Sequence, residues 1–250
     1  MNVYFDNAAT TQVCPEAAAA VLQTMTEDYG NPSSAHAPGR RAKSLLETSR
    51  RQVADALRVR PEELIFTSGG TEADNWAVLS GIRLMRHKGG HIITTATEHD
   101  AVRRCMDLLE AQGFSITRLK ADRSGRVSPE DFESALRADT VLASVMLVNN
   151  ETGAVNPVAE LAGLLHQQNS AALFHTDACL LYTSLPLSFK AQIQRRSCPI
   201  AGKNGPAFFL RHSPALRLGG CRAHHIGLHH AVIQKLQMGA CLRHLSLIHI

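Results

Sequence analysis

The stretch "ELIFTSGGTEADNWAVLSGIRLMRH" (residues 63–87) changes character at its middle, and that change decides the fold. "ELIFTS" (63–68) is a short apolar run of strand length. Ser68-Gly69-Gly70 then turns the chain, and the residues after it are those of a helix. A strand passing through a glycine turn directly into a helix is half of a strand–helix–strand unit. Glycines let the backbone approach a ligand closely, and a helix N-terminus offers free N–H groups and a dipole that favours an anion. Thr71 adds a hydroxyl. The plainer reading of the same residues is a glycine turn with Thr71 as N-cap. The motif is neither a Gly-Lys-Ser/Thr phosphate loop nor GxGxxG.

The same alternation extends outward. "PEAAAAVLQTMTEDY" (15–29) reads as a helix with Pro15 in its first turn. "GNPSSAH" (30–36) is a loop of turn-formers. Residues 39–59 form a long helix whose apolar stripe is Ala42, Leu45, Leu46, Val53 and Leu57. A strand at 91–97, a helix from Asp100 ending at Gly113 and a strand at 115–121 follow. A helix over 128–137 has Ser128 as N-cap and Pro129 at its first position. "TVLASVMLVNN" (140–150) is apolar on both faces, as in a parallel sheet. "VAELAGLLHQQ" (158–168) is the next helix and "AALFHTDA" (171–178) the next strand. The pattern predicts an α/β fold with a mostly parallel central sheet flanked by helices. Beyond Asp177 the alternation fades, leaving a strand at 205–211 and a helix over 229–245 as expectations.

The length of 250 residues suits one large α/β domain or two modest ones, and 44% hydrophobic residues supply a sizeable core. No apolar run approaches 18 residues, and "MNVYFDNAATT" lacks the basic-then-apolar order of a secretory leader. The expectation is a soluble, cytoplasmic protein with no membrane partner. Six cysteines without a CxxC pair argue against a disulfide framework or structural zinc. Charge is uneven. Residues 1–177 hold all 22 acidic residues and 17 basic ones, whereas 178–250 hold nine basic residues and no acidic one. Four of the six cysteines lie in that last segment, and seven of the 13 histidines follow position 211. A shifted reading frame and a basic tail both account for this. The positive charges are sparse, so no nucleic-acid partner is expected. The expected organisation is an N-terminal segment (1–14), a large domain (15–211, altered over 179–211) and an atypical basic, His-rich tail (212–250). Cys221, His224, His225, His229 and His230 include a His pair at i,i+4, but no acidic partner accompanies them, and no metal is expected.

In open parallel sheets ligands sit beyond the carboxyl ends of the strands. There this sequence places Gly70 and Thr71, then Glu98-His99, then Asn149-Asn150-Glu151, then Asp177. Each has an ordinary role as turn or cap. Together they bring an anion cradle, an imidazole, an amide and a carboxylate to one sheet edge. That set suits a phosphorylated heteroaromatic cofactor with a basic ring nitrogen. Pyridoxal phosphate fits, and it also requires an imine-forming lysine.

Six ordered motifs now carry a resemblance: "YFDNAATT" (4–11), "YGNPSSAHAPGRRA" (29–42), "FTSGGTEADNWA" (66–77), "ATEHDAV" (96–102), "VNNETGAVNPV" (148–158) and "FHTDA" (174–178). Over residues 3–178, and again at "LPLSFKA" (185–191), the chain resembles cysteine desulfurases of the class V aminotransferase family. The resemblance implies the type I fold of pyridoxal-phosphate-dependent transferases. It implies Gly70 and Thr71 at the phosphate, His99 stacked on the ring and moving protons, Asn150 near the ring's 3-oxygen and Asp177 on the ring nitrogen. It places Ala8, Thr10, Asn31 and His36 on the substrate side. The implied reaction removes sulfur from L-cysteine, releasing alanine and leaving an enzyme persulfide for iron–sulfur cluster or other thio-cofactor assembly. A homodimer and a sulfur-acceptor or scaffold protein are the implied partners.

The pattern breaks after Ala178. Leu180 stands where the family has a glutamine, and "SCPIAGKNGPAFFLR" (197–211) stands where it has its His-Lys run. Aligned from "GPAFFLR", the imine-forming position falls on Pro199, which has no amine. Lys203 reaches it only through a four-residue slip, and is otherwise a turn lysine. Nothing matches the family's Arg-Ser-Gly-Thr-Glu-Asn region, its persulfide-cysteine loop or most of its small C-terminal domain. The chain is therefore expected to be incomplete for turnover. Another class V enzyme, such as a selenocysteine lyase or an aminotransferase, and a non-catalytic binding remnant remain as alternatives; "VNNETG" and "SGGTEADN" favour the desulfurase.

Overall fold

A computed structural model describes residues 3–57 and 59–180, and from residues 181–250 the backbone of two strands, 231–234 and 246–249. The elements run α1 (Pro15–Thr26), α2 (Ala37–Leu57), a 3₁₀ turn (Pro61–Glu63), β1 (Leu64–Phe66), α3 (Gly70–Met85), β2 (His91–Thr95) and α4 (Asp100–Ala111). Then follow β3 (Ser115–Leu119), α5 (Pro129–Ala135), β4 (Thr140–Ser144), α6 (Val158–Gln168), β5 (Leu173–Thr176), β6 (Ala231–Gln234) and β7 (Ser246–His249).

The described strands form one sheet in the order β1-β6-β7-β5-β4-β2-β3. β2 pairs in parallel with β3 and β4, β4 with β5, and β5 with β7. β6 runs antiparallel to both β1 and β7, so the sheet is parallel except for one strand. This corrects the expected helix over 229–245, because Ala231–Gln234 pairs as a strand. β1 has only three residues, and β6 supplies the backbone partners that a buried strand requires. Val232 and Ile233 are β-branched, which suits a strand. The expected strand at 205–211 lies outside the described residues.

Both faces of the sheet are covered. On one, Ala77, Val78, Ile82 and Met85 of α3 and Val102, Met106 and Leu109 of α4 pack on Ile92, Leu142 and Leu173. On the other, Phe132 of α5 and Leu161 and Leu165 of α6 pack on Ile93, Ala143 and Phe174. Successive strand residues point to opposite faces, so the pairs Ile92/Ile93, Leu142/Ala143 and Leu173/Phe174 each serve both cores. Every residue of β2, β4 and β5 is buried, as the two-faced apolar pattern requires. Ser128 caps α5 as expected, its Oγ accepting from the Asp131 N–H at 3.2 Å.

The stripe expected along α2 is only half used. Val53, Ala54 and Leu57 are buried, while Leu45 and Leu46 are exposed. The C-terminal half of α2 lies against the 3₁₀ turn and β1: Arg50 Nη1 donates to the Leu64 carbonyl at 2.6 Å, and its guanidinium sits 4.9 Å from the Phe66 ring centre. Among the described residues no helix is long and apolar enough to cross a membrane.

Candidate active site

The turn from β1 into α3 is held by Glu72, whose Oε2 accepts from the Ser68 N–H at 2.6 Å and from its hydroxyl at 2.7 Å. These bonds hold the Glu72 carboxyl below its ordinary range. Gly69, not Thr71, is the N-cap, which corrects the plainer reading of Thr71; Thr71 is the second residue of α3. The reason is that the Gly69 carbonyl already accepts the Ala73 N–H at 3.1 Å. The N–H groups of Gly70, Thr71 and Glu72 therefore have no partner within the helix. With the exposed Thr71 hydroxyl they form a donor set suited to an anion.

Beyond β2, His99 is the N-cap of α4, its Nδ1 accepting from the Ala101 N–H at 3.2 Å. The cap fixes the ring and leaves Nε2 on an exposed side chain. Beyond β4, two adjacent asparagines divide the work. Asn149 is buried; its Oδ1 accepts from the N–H groups of Glu151 and Thr152 and from the Thr152 hydroxyl, and its Nδ2 donates to the Thr97 carbonyl. Asn150 is exposed, and its amide makes no hydrogen bond to a described residue. Beyond β5, Asp177 is buried, with Oδ1 accepting from the Cys179 N–H at 2.9 Å.

Backbone and side-chain bonds stitch these ends together. The Leu147 N–H donates to the Asp177 carbonyl at 2.8 Å. Glu98 Oε1 accepts from the Met146 N–H at 2.8 Å and the Thr95 hydroxyl at 2.9 Å. Burial pushes the Glu98 carboxyl up to about 8, against those two bonds and with help from the Asp177 and Asp74 carboxylates nearby. Near neutral pH it is an uncharged acid.

Sequence reasoning missed three further polar residues. Asp74 of α3, His175 of β5 and Ser144 of β4 are buried in the apolar core. His175 Nε2 lies 3.4 Å from Asp74 Oδ1, and His175 Nδ1 shares a 2.8 Å hydrogen bond with the Ser144 hydroxyl. The available signal was a carboxylate on the apolar face made by Ala73, Ala77 and Val78, and an imidazole within an apolar strand.

The four residues expected on the substrate side occupy local turns. Ala8 lies in a turn in which the Ala9 and Thr10 N–H groups both donate to the Asp6 carbonyl. Asn31 Oδ1 accepts from the Ser33 N–H at 2.9 Å. His36 precedes α2, and its Nδ1 accepts from the Gly39 N–H at 3.3 Å. All four are exposed, and among the described residues no hydrogen bond joins them to the strand-end group. Gly30 and Gly39 keep this loop tight, since a Cβ on either would meet the carbonyl of Pro38 or Ser34 at 2.2 or 2.4 Å. Lys203, Pro199 and the His-rich stretch lie outside the described residues.

The site's donor chemistry fits pyridoxal phosphate. Free helix N–H groups and a hydroxyl suit a phosphate. A buried carboxylate suits a protonated ring nitrogen.

The aminotransferase class-V family model matches residues 3–192. The chain belongs to the aminotransferase class-V family. The match runs past Asp177, through the segment that includes "LPLSFKA". Over 188 residues the chain is 44% identical to the cysteine desulfurase IscS of Methanosarcina thermophila, covering 75% of this chain and 46% of that protein. Over 222 residues it is 38% identical to the cysteine desulfurase IscS of Anaeromyxobacter sp. (strain K), covering 86% and 54%. The solved structure of a NifS-like protein superposes with a TM-score of 0.69 at 38% identity, over 71% of this chain and 49% of that one. The chain spans about half the length of the curated relatives it matches. Its fold is that of the NifS-like enzymes: an α/β domain with a largely parallel sheet between helices.

Proposed function

We propose that the chain is the cofactor-binding part of a pyridoxal-phosphate-dependent cysteine desulfurase. The observation that carries this is the set of polar groups at the strand ends: three N–H groups at α3 with no partner among the described residues, the fixed His99 ring, the exposed Asn150 amide and the buried Asp177 carboxylate. Its likeness to two proteins named cysteine desulfurase supports the choice within the class V family.

Bound pyridoxal phosphate supplies an electron sink for charge developing at an amino acid's Cα. Gly70 and Thr71 would hold the phosphate through N–H groups and the hydroxyl. Asp177 would keep a proton on the ring nitrogen, where burial strengthens the interaction. His99, its Nδ1 engaged by the cap, would have Nε2 to take or give a proton. Asn150 would donate toward the ring's 3-oxygen. Ala8, Thr10, Asn31 and His36 form the substrate side, and Lys203 is the candidate amine for the imine. The substrate is L-cysteine: its sulfur passes to an acceptor thiol, giving a persulfide, and alanine leaves. A second copy of the chain and a sulfur acceptor complete the cytoplasmic assembly. Val21, Leu22 and Met25 of α1, all exposed, support a covering partner.

Titrating the full chain with pyridoxal phosphate tests the reading. Saturable binding with a shifted absorbance band is expected, weakened at least tenfold by Asp177→Ala, as for a buried charge-assisted contact of about 1.4 kcal/mol or more. Absence of binding would overturn it. Borohydride followed by peptide mass mapping then asks whether Lys203 carries the adduct.

A further inference from the structure

We infer that Asp74, His175 and Ser144 form a buried strut that sets the distance between the phosphate-binding and ring-nitrogen-binding ends of the site, which makes them positioning residues; the inference rests on the cofactor reading above. Asp74 follows Gly70 by four residues, so it lies one helical turn below the N–H groups assigned to the phosphate. His175 precedes Asp177 by two, so both side chains stand on the same face of the β5 segment. Ser144 ends β4, the strand that leads to Asn150. The two links, Asp74–His175 and His175–Ser144, therefore join the three elements assigned to the phosphate, nitrogen and 3-oxygen contacts.

The geometry is that of a link between elements. Asp74, His175 and Ser144 are 1%, 2% and 0% exposed, so water does not compete for their bonds. Asp74 Oδ1 has no hydrogen-bond partner among the described residues, and His175 Nε2 faces it at 3.4 Å. Replacing such a pair as a whole by apolar residues is often as stable or more stable, so stability alone does not account for it. The benefit that remains is geometric. A carboxylate–imidazole contact fixes α3 against β5 at one separation, whereas apolar side chains slide. A cofactor gripped at both ends gains from that fixed span, because each end raises the effective concentration of the other.

The test separates a spacing role from a merely structural one. In the full chain, Asp74→Asn and His175→Gln keep side-chain volume while weakening the link. Each should lower the affinity for pyridoxal phosphate about tenfold or more, the order of loss that a small misplacement causes. Affinities for inorganic phosphate and for 3-hydroxypyridine, each filling one end, should stay within about twofold. Unchanged pyridoxal phosphate affinity, or equal weakening of both fragments, would overturn the strut. Amide hydrogen exchange of the ligand-free chain reads the link without any cofactor. Faster exchange confined to the Ala73–Trp76 turn and β5, with β2 and β3 unchanged, is expected; uniform acceleration across the sheet counts against it. If the unaltered chain binds no pyridoxal phosphate but the local exchange change appears, the cofactor reading alone falls.

Discussion

Two buried histidines, His91 and His175, mark the two ends of the sheet, and they are held in opposite ways. His91 opens β2 at the amino end. Its Nδ1 shares a 2.7 Å bond with the Thr140 hydroxyl and its Nε2 a 2.8 Å bond with the Thr117 hydroxyl. Every polar demand of that ring is met by a neutral neighbour. His175 lies near the carboxyl end among Asp74, Glu98 and Asp177, where Asp74 Oδ1 and Glu98 Oε2 are buried without a hydrogen-bond partner among the described residues. The amino-end ring is fully engaged, while at the carboxyl end two carboxyl oxygens have no hydrogen-bond partner among the described residues. Unmet capacity inside a protein costs free energy, so the two ends should respond differently to substitution.

The largest expected effect tests that contrast directly. Asp74→Leu strips His175 of its carboxylate and should destabilise the chain by about 3–5 kcal/mol in urea unfolding. Asp74→Leu with His175→Leu should recover most of the loss. A single variant costing under about 1 kcal/mol would show that the two ends are energetically alike.

Next comes the alkaline limb. Below pH 4.5 Glu98 is protonated in both folded and unfolded chains. Between 4.5 and about 8 only the folded chain keeps the proton, so stability falls as pH rises, by about 1.4 kcal/mol per unit from this group. Glu98→Gln should remove that slope and keep the bonds from Met146 and Thr95. An unchanged slope in this variant would assign the alkaline loss elsewhere.

The amino end responds more weakly. Thr140→Val removes the hydroxyl that serves both His91 and the Arg137 N–H, and should cost about 1–3 kcal/mol in the same assay. The smallest effect is the acid limb. Burial, with Arg137 adding and Asp139 opposing, holds His91 below its ordinary 6.5. As pH falls below 6.5 the unfolded chain takes a proton that the folded ring resists, so stability falls on the acid side by at most about 1.4 kcal/mol per unit. His91→Gln should flatten this limb. Just below pH 6.5 the Glu98 and His91 slopes oppose each other, so only the single variants resolve them.

Most of the sheet was legible in the chain because burial on two faces leaves an unbroken apolar run. The strands at 91–97, 140–150 and 171–178 were found this way, and the helices between them by caps such as Ser128. That Gly70, Thr71, His99, Asn150 and Asp177 each follow a strand was legible because position after a strand is a sequence property in an open sheet. Only half of the α2 stripe is buried, since a stripe shows which face is apolar but not how much of it finds a partner. Ala231–Gln234 is a strand within a segment of helical pattern, because an isolated apolar segment carries no record of the short strand beside it.

The order of strands and helices, the anion-suited turn before α3 and the placing of an imidazole, an amide and a carboxylate after successive strands followed from the sequence itself. Local propensity and period are properties of neighbouring residues. The division of Asn149 from Asn150, the N-cap at Gly69, the neutral Glu98 and the Asp74–His175–Ser144 link were decided only by the tertiary structure. Each depends on which distant groups share a small volume without water, and separation along the chain does not encode that.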